Sequence, residues 1–238
     1  ATYVVFGGFD GTNYLNDLWM YNMGTGVWSQ ASYSSTPDAR AYHTCATTGA
    51  VGAEELAVFG GYNGAYLGDL SVLNTTGGYW FTAPNNSPTG SAPSARAYIQ
   101  GINQGDDLYF YGGYDGSNCL SDTWVYSQLT GAWFAIPTPD TPPTLAGYAG
   151  LHMEGGGYDT FGGFANCQAS TDQLYSLSHN NPDWINVPSG GLTPPARSAT
   201  VGTRHGQDAL IYAGVDGTFV NGTLSISKVY DDIWIYTL

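Results

Sequence analysis

A pair of small residues recurs five times along the chain, each time at the end of a short β-type stretch. The pairs are Gly7-Gly8, Gly60-Gly61, Gly112-Gly113, Gly162-Gly163 and Ala213-Gly214. Successive pairs are 53, 52, 50 and 51 residues apart. A period of this length is typical of equal structural units that stack because no unit can bury its apolar face alone. The 238 residues therefore predict one repetitive all-β domain.

Composition and charge exclude several classes of protein. The chain has 34 glycines and 15% aromatic residues, a profile that favours strands and tight turns over helices. Its net charge of −14 argues against nucleic acid and against anionic membrane surfaces, because phosphate groups require a basic protein face. No apolar run approaches the roughly 20 residues that cross a bilayer, so we expect no membrane insertion. Scarce Lys with abundant Ser, Thr, Asn, Gly and Tyr favours a secreted or cell-surface protein.

Three further residue types keep nearly fixed distances from the glycine pairs. An Arg precedes the pair in three copies, an Asp follows it by about nine residues, and a Trp stands two residues beyond most of these Asp. A second Trp follows each of the first four pairs by about twenty residues. All seven Trp residues occupy these two positions: Trp19, Trp124 and Trp234 at the first, and Trp28, Trp80, Trp133 and Trp184 at the second. By the same count, the fourth copy has Ala146 at the Arg position, Asp172 at the Asp position and Leu174 at the first Trp position.

This unit resembles the kelch repeat over essentially the whole chain. The resemblance implies a β-propeller in which each repeat is one four-stranded blade with its first strand innermost. It divides the single domain into repeats at about residues 1–31, 32–83, 84–137, 138–189 and 190–238. The second repeat is predicted to hold strands at residues 40–47, 55–61, 69–74 and 79–83, and the third at 96–103, 107–113, 122–128 and 132–136.

The chain opens in a second strand and ends in a third, so the five blades are predicted to hold three, four, four, four and three strands. Two arrangements stay open: an imperfectly closed ring of five blades, or part of a propeller with six or seven. An insertion at residues 219–230 is predicted to be a long loop between the second and third strands of the fifth repeat.

The resemblance also places the binding surface on the face that carries the loops between second and third strands and between blades. The predicted ligand-binding residues on this face are Arg40, Arg96, Arg197, Asn13, Tyr14, Asn63, Tyr66 and Asn118. A ring of Arg side chains would grip a carboxylate, phosphate or sugar through its planar fork of donors. The favoured alternative is that each Arg braces its own blade by pairing with the repeat Asp. For the Tyr residues, packing within the loops is the alternative to carbohydrate or protein contact.

The cysteines and sequons give further site predictions. Cys119 and Cys167 fall in equivalent loops of adjacent repeats, which predicts a disulfide in an oxidising compartment. Cys45 lies in an inner strand and is expected to be a small buried hydrophobic residue. Glycosylation sequons occur in about the number that chance gives, at Asn74, Asn85 and Asn221.

The sequence predicts no catalytic residue, metal or cofactor. The Asp-Gly pairs at Asp10 and Asp115 lack the closing Glu of a calcium loop and are predicted to be turns. The four histidines are not expected to converge, since His43 and His152 fall in first strands, His205 in a hairpin on the opposite face and His179 near the rim. We therefore expect a non-catalytic binding or assembly module, extracellular, with a protein or glycan partner. Two alternatives remain: a copper-dependent oxidase of the galactose oxidase type, and a structural subunit of an extracellular polymer whose incomplete terminal blades are completed by other chains.

Overall fold

The computed structural model describes residues 2–48, 55–138, 143–152, 157–178, 183–188, 190–205, 208–220 and 223–237. The first sheet contains β1 (Thr2–Phe9), β2 (Tyr14–Asn22) and β3 (Val27–Ala31). The second contains β4 (Thr44–Thr48), β5 (Glu55–Phe59), β6 (Leu70–Asn74) and β7 (Tyr79–Thr82). The third contains β8 (Gln100–Gln104), β9 (Asp107–Tyr111), β10 (Thr123–Ser127) and β11 (Ala132–Ile136).

The fourth and fifth sheets follow the same plan, joined by three short strands. After β12 (Leu145–Ala146), the fourth sheet contains β13 (Ala149–His152), β14 (Gly157–Phe161), β17 (Leu174–Ser178) and β18 (Trp184–Val187). The fifth contains β19 (Val201–His205), β20 (Asp208–Val220) and β21 (Thr223–Thr237). The short strands β15 (Phe164–Ala165) and β16 (Ala169–Ser170) link β12 to β20.

The five sheets are the blades of an all-β propeller, which confirms the predicted fold class. Every neighbouring pair of strands within a blade is antiparallel, and each pair is consecutive in sequence except β14 and β17, which β15 and β16 separate along the chain. The inner strands β4, β8, β13 and β19 surround a channel of about 590 Å³. Cys45 is exposed on the wall of this channel, so its predicted burial is wrong: its side chain points from β4 into the channel and not between blades. None of the described residues forms a helix that meets the length and apolarity required to cross a bilayer.

Each boundary between two of the first four blades is filled by the same aromatic contact. The fourth-strand Trp of one blade lies against the aromatic residue that precedes the Gly pair of the blade before it. The ring centroids are 5.2 Å apart for Trp80 and Phe6, 5.3 Å for Trp133 and Phe59, and 4.6 Å for Trp184 and Tyr111. Large apolar rings suit this place because the space between blades widens toward the rim.

The Gly pairs connect each blade to the next through the backbone. The second Gly of a pair donates its amide to the carbonyl of the residue that starts the next blade, as Gly61 does to Arg96 at 2.8 Å and Gly113 to Leu145 at 2.8 Å. The first Gly has positive φ, +61° at Gly112, and an added β-carbon there would lie 2.6 Å from the Leu145 carbonyl oxygen. Both the left-handed conformation and this close approach require glycine.

These backbone contacts correct the predicted register of the fourth blade. Leu145, and not Ala146, accepts the hydrogen bond that Arg96 accepts one blade earlier. The carbonyl that receives the amide of Gly162 belongs to Gln173, whereas Asp122 supplies the equivalent carbonyl for Gly112. Tyr175 then pairs with Thr160 as Trp124 pairs with Phe110, so Tyr175 takes the Trp position instead of Leu174. Counting failed because Leu145 stands 18 residues before Gly163, while Arg96 stands 17 before Gly113.

The insertion in the fifth blade is a hairpin arm and not the predicted loop. β20 and β21 stay paired from Asp208 opposite Thr237 out to Val220 opposite Thr223, with register shifts on the way. The arm reaches the fourth blade, where Thr218 pairs with Ala169 of β16. Its aromatic residue Phe219 is buried there, which gives the extended strands an anchor outside their own blade.

Candidate functional site: the tyrosine face

The three template arginines brace their own blades. Arg96 is 1% exposed and its guanidinium makes a two-pronged contact with Asp122, at 2.6 and 2.9 Å. Its remaining N–H groups donate to the Gly112 carbonyl and to the carbonyl and hydroxyl oxygens of Ser94, so all five donors are used. The same arrangement joins Arg40 to Asp69 and Arg197 to Asp232.

This burial overturns the expectation that the arginines grip a ligand. A guanidinium that is 0–1% exposed and paired with a carboxylate does not reach the surface. The structure thus supports the bracing alternative for Arg40, Arg96 and Arg197. In two of these braces the carboxylate also accepts the indole N–H of the template Trp, at 2.6 Å from Trp124 and 2.8 Å from Trp234.

The fourth blade has lost the brace as a unit. Leu145, fully buried, stands where the second, third and fifth blades carry Arg, and Gln173 stands where those blades carry Asp. A buried charge without its partner is costly, whereas replacement of both partners by uncharged residues is tolerated. Buried tyrosine hydroxyls make polar contacts between the fourth blade and the third. Those of Tyr148 and Tyr158 lie 3.0 Å apart, and Tyr158 donates to the Gln100 carbonyl of the third blade at 2.5 Å.

The braces lower the pKa of their carboxyl groups. Hydrogen bonds from Arg197 lower the pKa of Asp232 from 3.8 to about 2. Burial opposes the same effect at Asp69 and Asp122, but the hydrogen bonds from Arg40 and Arg96 prevail and both pKa values are lowered.

Acid is expected to destabilise the propeller through these groups. Because the pKa of Asp232 is lower in the folded chain than its ordinary 3.8, its contribution to stability is complete above about pH 4 and disappears as the pH falls through about 2. Urea unfolding followed from pH 5 to pH 2 should show a falling midpoint. Asp232→Asn should be less stable at pH 5 and show a shallower fall. An equally steep fall in that variant would contradict a role for this carboxylate.

A continuous layer of aromatic rings covers the loop side of the propeller. Its partly exposed members, here called the tyrosine face, are Phe9, Tyr14, Tyr42, Tyr62, Tyr66 and Tyr98. Its buried floor is formed by Tyr114, Phe164 and Phe219. Centroid distances along the layer are 5.0 Å for Phe9–Tyr14, 5.8 Å for Tyr14–Tyr62, 4.9 Å for Tyr62–Tyr66, 5.7 Å for Tyr66–Tyr114, 4.9 Å for Tyr114–Phe219, 5.6 Å for Phe219–Tyr98 and 4.5 Å for Tyr98–Tyr42.

The floor joins the loops of three blades. Phe219 from the arm of the fifth blade lies 4.9 Å from Tyr114 of the third and 5.4 Å from Phe164 of the fourth. Cys119 and Cys167 form the predicted disulfide between the loops of the third and fourth blades, in the same apolar cluster. The rings of the face therefore rest on a cross-linked support.

Two tyrosines of the face sit on an unusual backbone. Tyr42 and Tyr98 have φ of 59° and 57°, a left-handed conformation that is an outlier for bulky residues. Their carbonyls and amides form a series of hydrogen bonds around the channel mouth: Tyr98 donates to Tyr42 at 2.9 Å, Gly147 to Tyr98 at 2.8 Å and Ala199 to Gly147 at 2.6 Å. Such strain costs on the order of 1–3 kcal/mol per residue and is typical of ligand-contacting positions. Here it presents the Tyr42 ring, 44% exposed, beside the stacked Tyr98 ring.

The tyrosine face carries neutral hydroxyl groups, and the Asp115 carboxylate lies near one of them. Burial raises the pKa of Tyr66 to about 12 and also raises that of Tyr98, so these hydroxyls keep their protons at neutral pH. The Asp115 carboxylate is close enough to contribute to the shift at Tyr66. The layer therefore offers apolar rings, hydroxyl donors and negative charge.

The predicted site residues are distributed as follows. Tyr14 and Tyr66 belong to the tyrosine face. Asn13 and Asn118 donate their amides to Asp10 and Asp115, each at 2.7 Å, in the predicted turns at its rim. Asn63 belongs to the corresponding turn of the second blade, where its amide donates to the Ala65 carbonyl.

Four residues of the face were not among the predicted site residues: Phe9, Tyr42, Tyr62 and Tyr98. Two of them carried a signal, because Arg-Ala-Tyr occurs both at residues 40–42 and at residues 96–98. The recurrence alone does not show that the two tyrosines share one surface. The structure shows this, because the rings of Tyr42 and Tyr98 are stacked.

The remaining predicted positions lie away from the face. Asn74 ends β6, where its side chain accepts the Gly77 amide, and Asn85 is exposed in the linker to the third blade. Asn221 and His179 lie outside the described residues. Glycosylation stays a prediction. Within the part of the chain that the structure describes, no three His, Cys, Asp or Glu side chains are grouped as they would be to hold a metal ion.

Comparison with known proteins agrees with this architecture. A profile of the KLHDC2/KLHL20/DRC7 Kelch-repeats domain matches residues 1–97 and 35–214. The chain is 27% identical to the leucine-zipper-like transcriptional regulator 1 homolog of Drosophila melanogaster over 98% of its length and 24% of that protein. It is 29% identical to acyl-CoA-binding domain-containing protein 5 of Arabidopsis thaliana, over 82% of the chain and 31% of that protein. It is 31% identical to Kelch domain-containing protein 2 of Bos taurus, over 60% of the chain and 34% of that protein.

The chain thus spans between about a quarter and a third of the length of these relatives. The family profile, however, accounts for most of the chain itself, including the Gly pairs and Arg–Asp braces of the second and third blades. The protein belongs to the kelch-repeat family.

Proposed function

We propose that this kelch propeller is a non-catalytic binding module that takes a protein partner on the tyrosine face. The observation that carries the proposal is the convergence of partly exposed rings from separate blades on one surface with a buried, disulfide-linked floor. Tyrosine supplies large contact area at low conformational cost and is enriched in protein interfaces. Kelch propellers generally bind proteins, which supports this class of partner over a glycan.

The negative net charge indicates which kind of partner segment fits the tyrosine face. The chain carries a net charge of −14, and Arg40, Arg96 and Arg197 are three of its five basic residues. Because each of these three is paired with an Asp of its own blade, the rest of the chain keeps a large excess of carboxylates over basic groups. A neutral or basic partner segment, with apolar groups that pack on the rings, fits such a surface.

The proposal includes a secreted or cell-surface location. A disulfide between two loops persists in oxidising compartments and is rare in reducing ones. Mass spectrometry of the protein from its native source, alkylated before and after reduction, tests this point through the oxidation state of Cys119 and Cys167.

Tyr42→Gly tests the binding function with little risk to the fold. Glycine accepts a φ of 59° without strain, so the relieved strain should offset much of the stability lost with the stacked ring. Loss of an exposed, stacked ring at the centre of an interface is expected to weaken partner binding about 10- to 100-fold. Affinity capture from an extracellular extract, followed by titration of the captured proteins, gives the measurement.

Tyr79→Ala is the matched control, since Tyr79 is 42% exposed but lies in β7 at the rim. Partners retained equally by all three proteins would contradict binding on the tyrosine face. If binding to immobilised glycans depended on Tyr42 and no captured protein did, the partner would be a carbohydrate and not a protein.

A further inference from the structure

A cavity of about 320 Å³ lies between the second and third blades, and its volume is within the range of small-molecule sites. Its lining includes Thr48 and Glu55 of the second blade and Gln128 of the third. Thr48 and Glu55 are paired at one end of β4 and β5, whereas Tyr42 and Tyr62 of the tyrosine face lie beyond the other end. Each of the two blades has four described strands, so the cavity lies between complete sheets.

Two buried polar groups on the wall of this cavity have no hydrogen-bond partner in the part of the chain that the structure describes. The hydroxyl group of Thr48 is one, and the side chain of this residue is 3% exposed. The side-chain amide nitrogen of Gln128 is the other. A buried polar group without a partner costs about 1–3 kcal/mol, and most such groups in native proteins are paired. Their presence on one cavity indicates a ligand with polar atoms of its own.

Glu55 adds a carboxyl group to the same cavity. It is partly buried, and this burial raises the pKa of the carboxyl group. The ion pairs among the described residues are the three Arg–Asp braces, so none of them involves Glu55. A partly buried carboxylate that has no cationic partner within the chain is stabilised by a cation from outside it.

Apolar side chains form much of the remaining wall, among them Val72, Phe81, Leu108 and Tyr126. The corresponding cavity between the third and fourth blades has a volume of only about 100 Å³. Tyr158 stands there in the position of Leu108, since each lies four residues before a Gly pair, and the larger side chain leaves less space. The repeat therefore gives room for a ligand at the first of these two boundaries and not at the second.

We propose that the cavity binds a small organic cation that carries hydroxyl groups and has about the size of a monosaccharide. The ammonium group donates to Glu55, a ligand oxygen accepts from the Gln128 amide, and a ligand hydroxyl hydrogen-bonds to Thr48. The C–H groups of the ligand pack on Phe81 and Leu108. This site is separate from the tyrosine face and does not depend on the function proposed for that face.

Three sugars with the same ring but different charge provide the probes. At about pH 6, D-glucosamine carries an ammonium group, D-glucose carries no charge and D-glucuronate carries a carboxylate. Each is titrated into the isotope-labelled chain, and binding is followed by nuclear magnetic resonance. Glucosamine should bind with a dissociation constant below about 10 mM and shift the side-chain amide signal of Gln128. Glucose should bind at least about 10-fold more weakly, and glucuronate should show no saturable binding.

Two protein variants locate the site. Glu55→Gln removes the charge and keeps the shape of the side chain, so it should weaken glucosamine binding at least about 10-fold and bring it close to that of glucose. Asp106→Asn is the matched control, because it removes an exposed carboxylate that lies outside the cavity, and it should leave glucosamine binding unchanged. The melting temperature of each variant shows whether it is folded.

Three results would each overturn the proposal. The first is the absence of saturable glucosamine binding at about 50 mM, which would indicate that water alone satisfies Thr48 and Gln128. The second is equal affinity of the original chain for glucosamine and glucose, a comparison that does not depend on the folding of any variant. The third is full glucosamine binding by a folded Glu55→Gln variant.

Discussion

Replacement of Arg96 by leucine is expected to lower the free energy of unfolding by about 2–3 kcal/mol, because buried hydrogen bonds are removed and the partly exposed Asp122 carboxylate loses its partner. The variant also leaves the Gly112 and Ser94 carbonyls without their buried donor. Urea denaturation monitored by circular dichroism measures this loss as a lower midpoint at unchanged slope.

The fourth blade supplies the control for this experiment. Its natural Leu145 and Gln173 indicate that an uncharged pair is accepted at these positions. Arg96→Leu combined with Asp122→Gln should therefore recover most of the lost stability, to within about 1.5 kcal/mol of the original chain. A double variant as unstable as the sum of the two single variants would contradict the view that the brace acts as a unit.

Gly112→Ala is expected to lower the free energy of unfolding by about 2–5 kcal/mol, from left-handed strain and from the displaced contact with the next blade. A β-carbon at Gly112 would lie 2.6 Å from the Leu145 oxygen and 3.0 Å from the Leu120 oxygen, both of which belong to backbone that cannot rotate away. Thermal unfolding by calorimetry gives the change directly.

Ala213→Gly is the matched control. Ala213 is the natural alanine at the same template position, with φ of 57°, and among the described residues the following Gly214 makes no backbone hydrogen bond to a next blade. The reverse change there removes strain alone and should raise stability by about 1 kcal/mol or less. If Gly112→Ala were as mild as that, the close approach between blades would not be the reason for glycine.

Much of the fold could be predicted because the template residues act locally. The predicted second strands at residues 55–61 and 107–113 contain β5 and β9, since the apolar run and the following Gly pair define both ends. The positions of Trp80, Trp133 and Trp184 likewise identify blade boundaries, because their rings are buried against the preceding blade.

The register of the fourth blade and the shape of the arm could not be predicted by position. One extra residue before Gly163 moves Leu145 into the Arg position, and a count from the Gly pair cannot detect it. The arm was predicted to be a loop because Phe219 is buried against residues of other blades, and such long-range contacts cannot be read from the local sequence.

Four of the six residues of the tyrosine face, Phe9, Tyr42, Tyr62 and Tyr98, were not predicted, because tertiary contacts bring their rings together. Tyr14 and Tyr66 were found from loop position alone. Tyr42 and Tyr98 belong to the face because a left-handed backbone aims their rings toward the channel mouth, and that backbone is held by hydrogen bonds between blades. The sequence did not reveal that the three arginines are buried. The structure shows each guanidinium inside its own blade, where it cannot contact a ligand on the surface.

The repeated contact of a tryptophan with the aromatic residue before the preceding Gly pair has a consequence for how such a chain changes in evolution. Trp80, Trp133 and Trp184 contact the preceding blade in the same way. A blade duplicated within the gene would therefore carry both the Trp for the blade before it and the aromatic residue for the Trp of the blade after it. Gain or loss of one whole unit of about 50 residues leaves every internal junction satisfied, whereas gain or loss of half a unit does not. Length variation in this lineage is therefore expected to occur in whole blades.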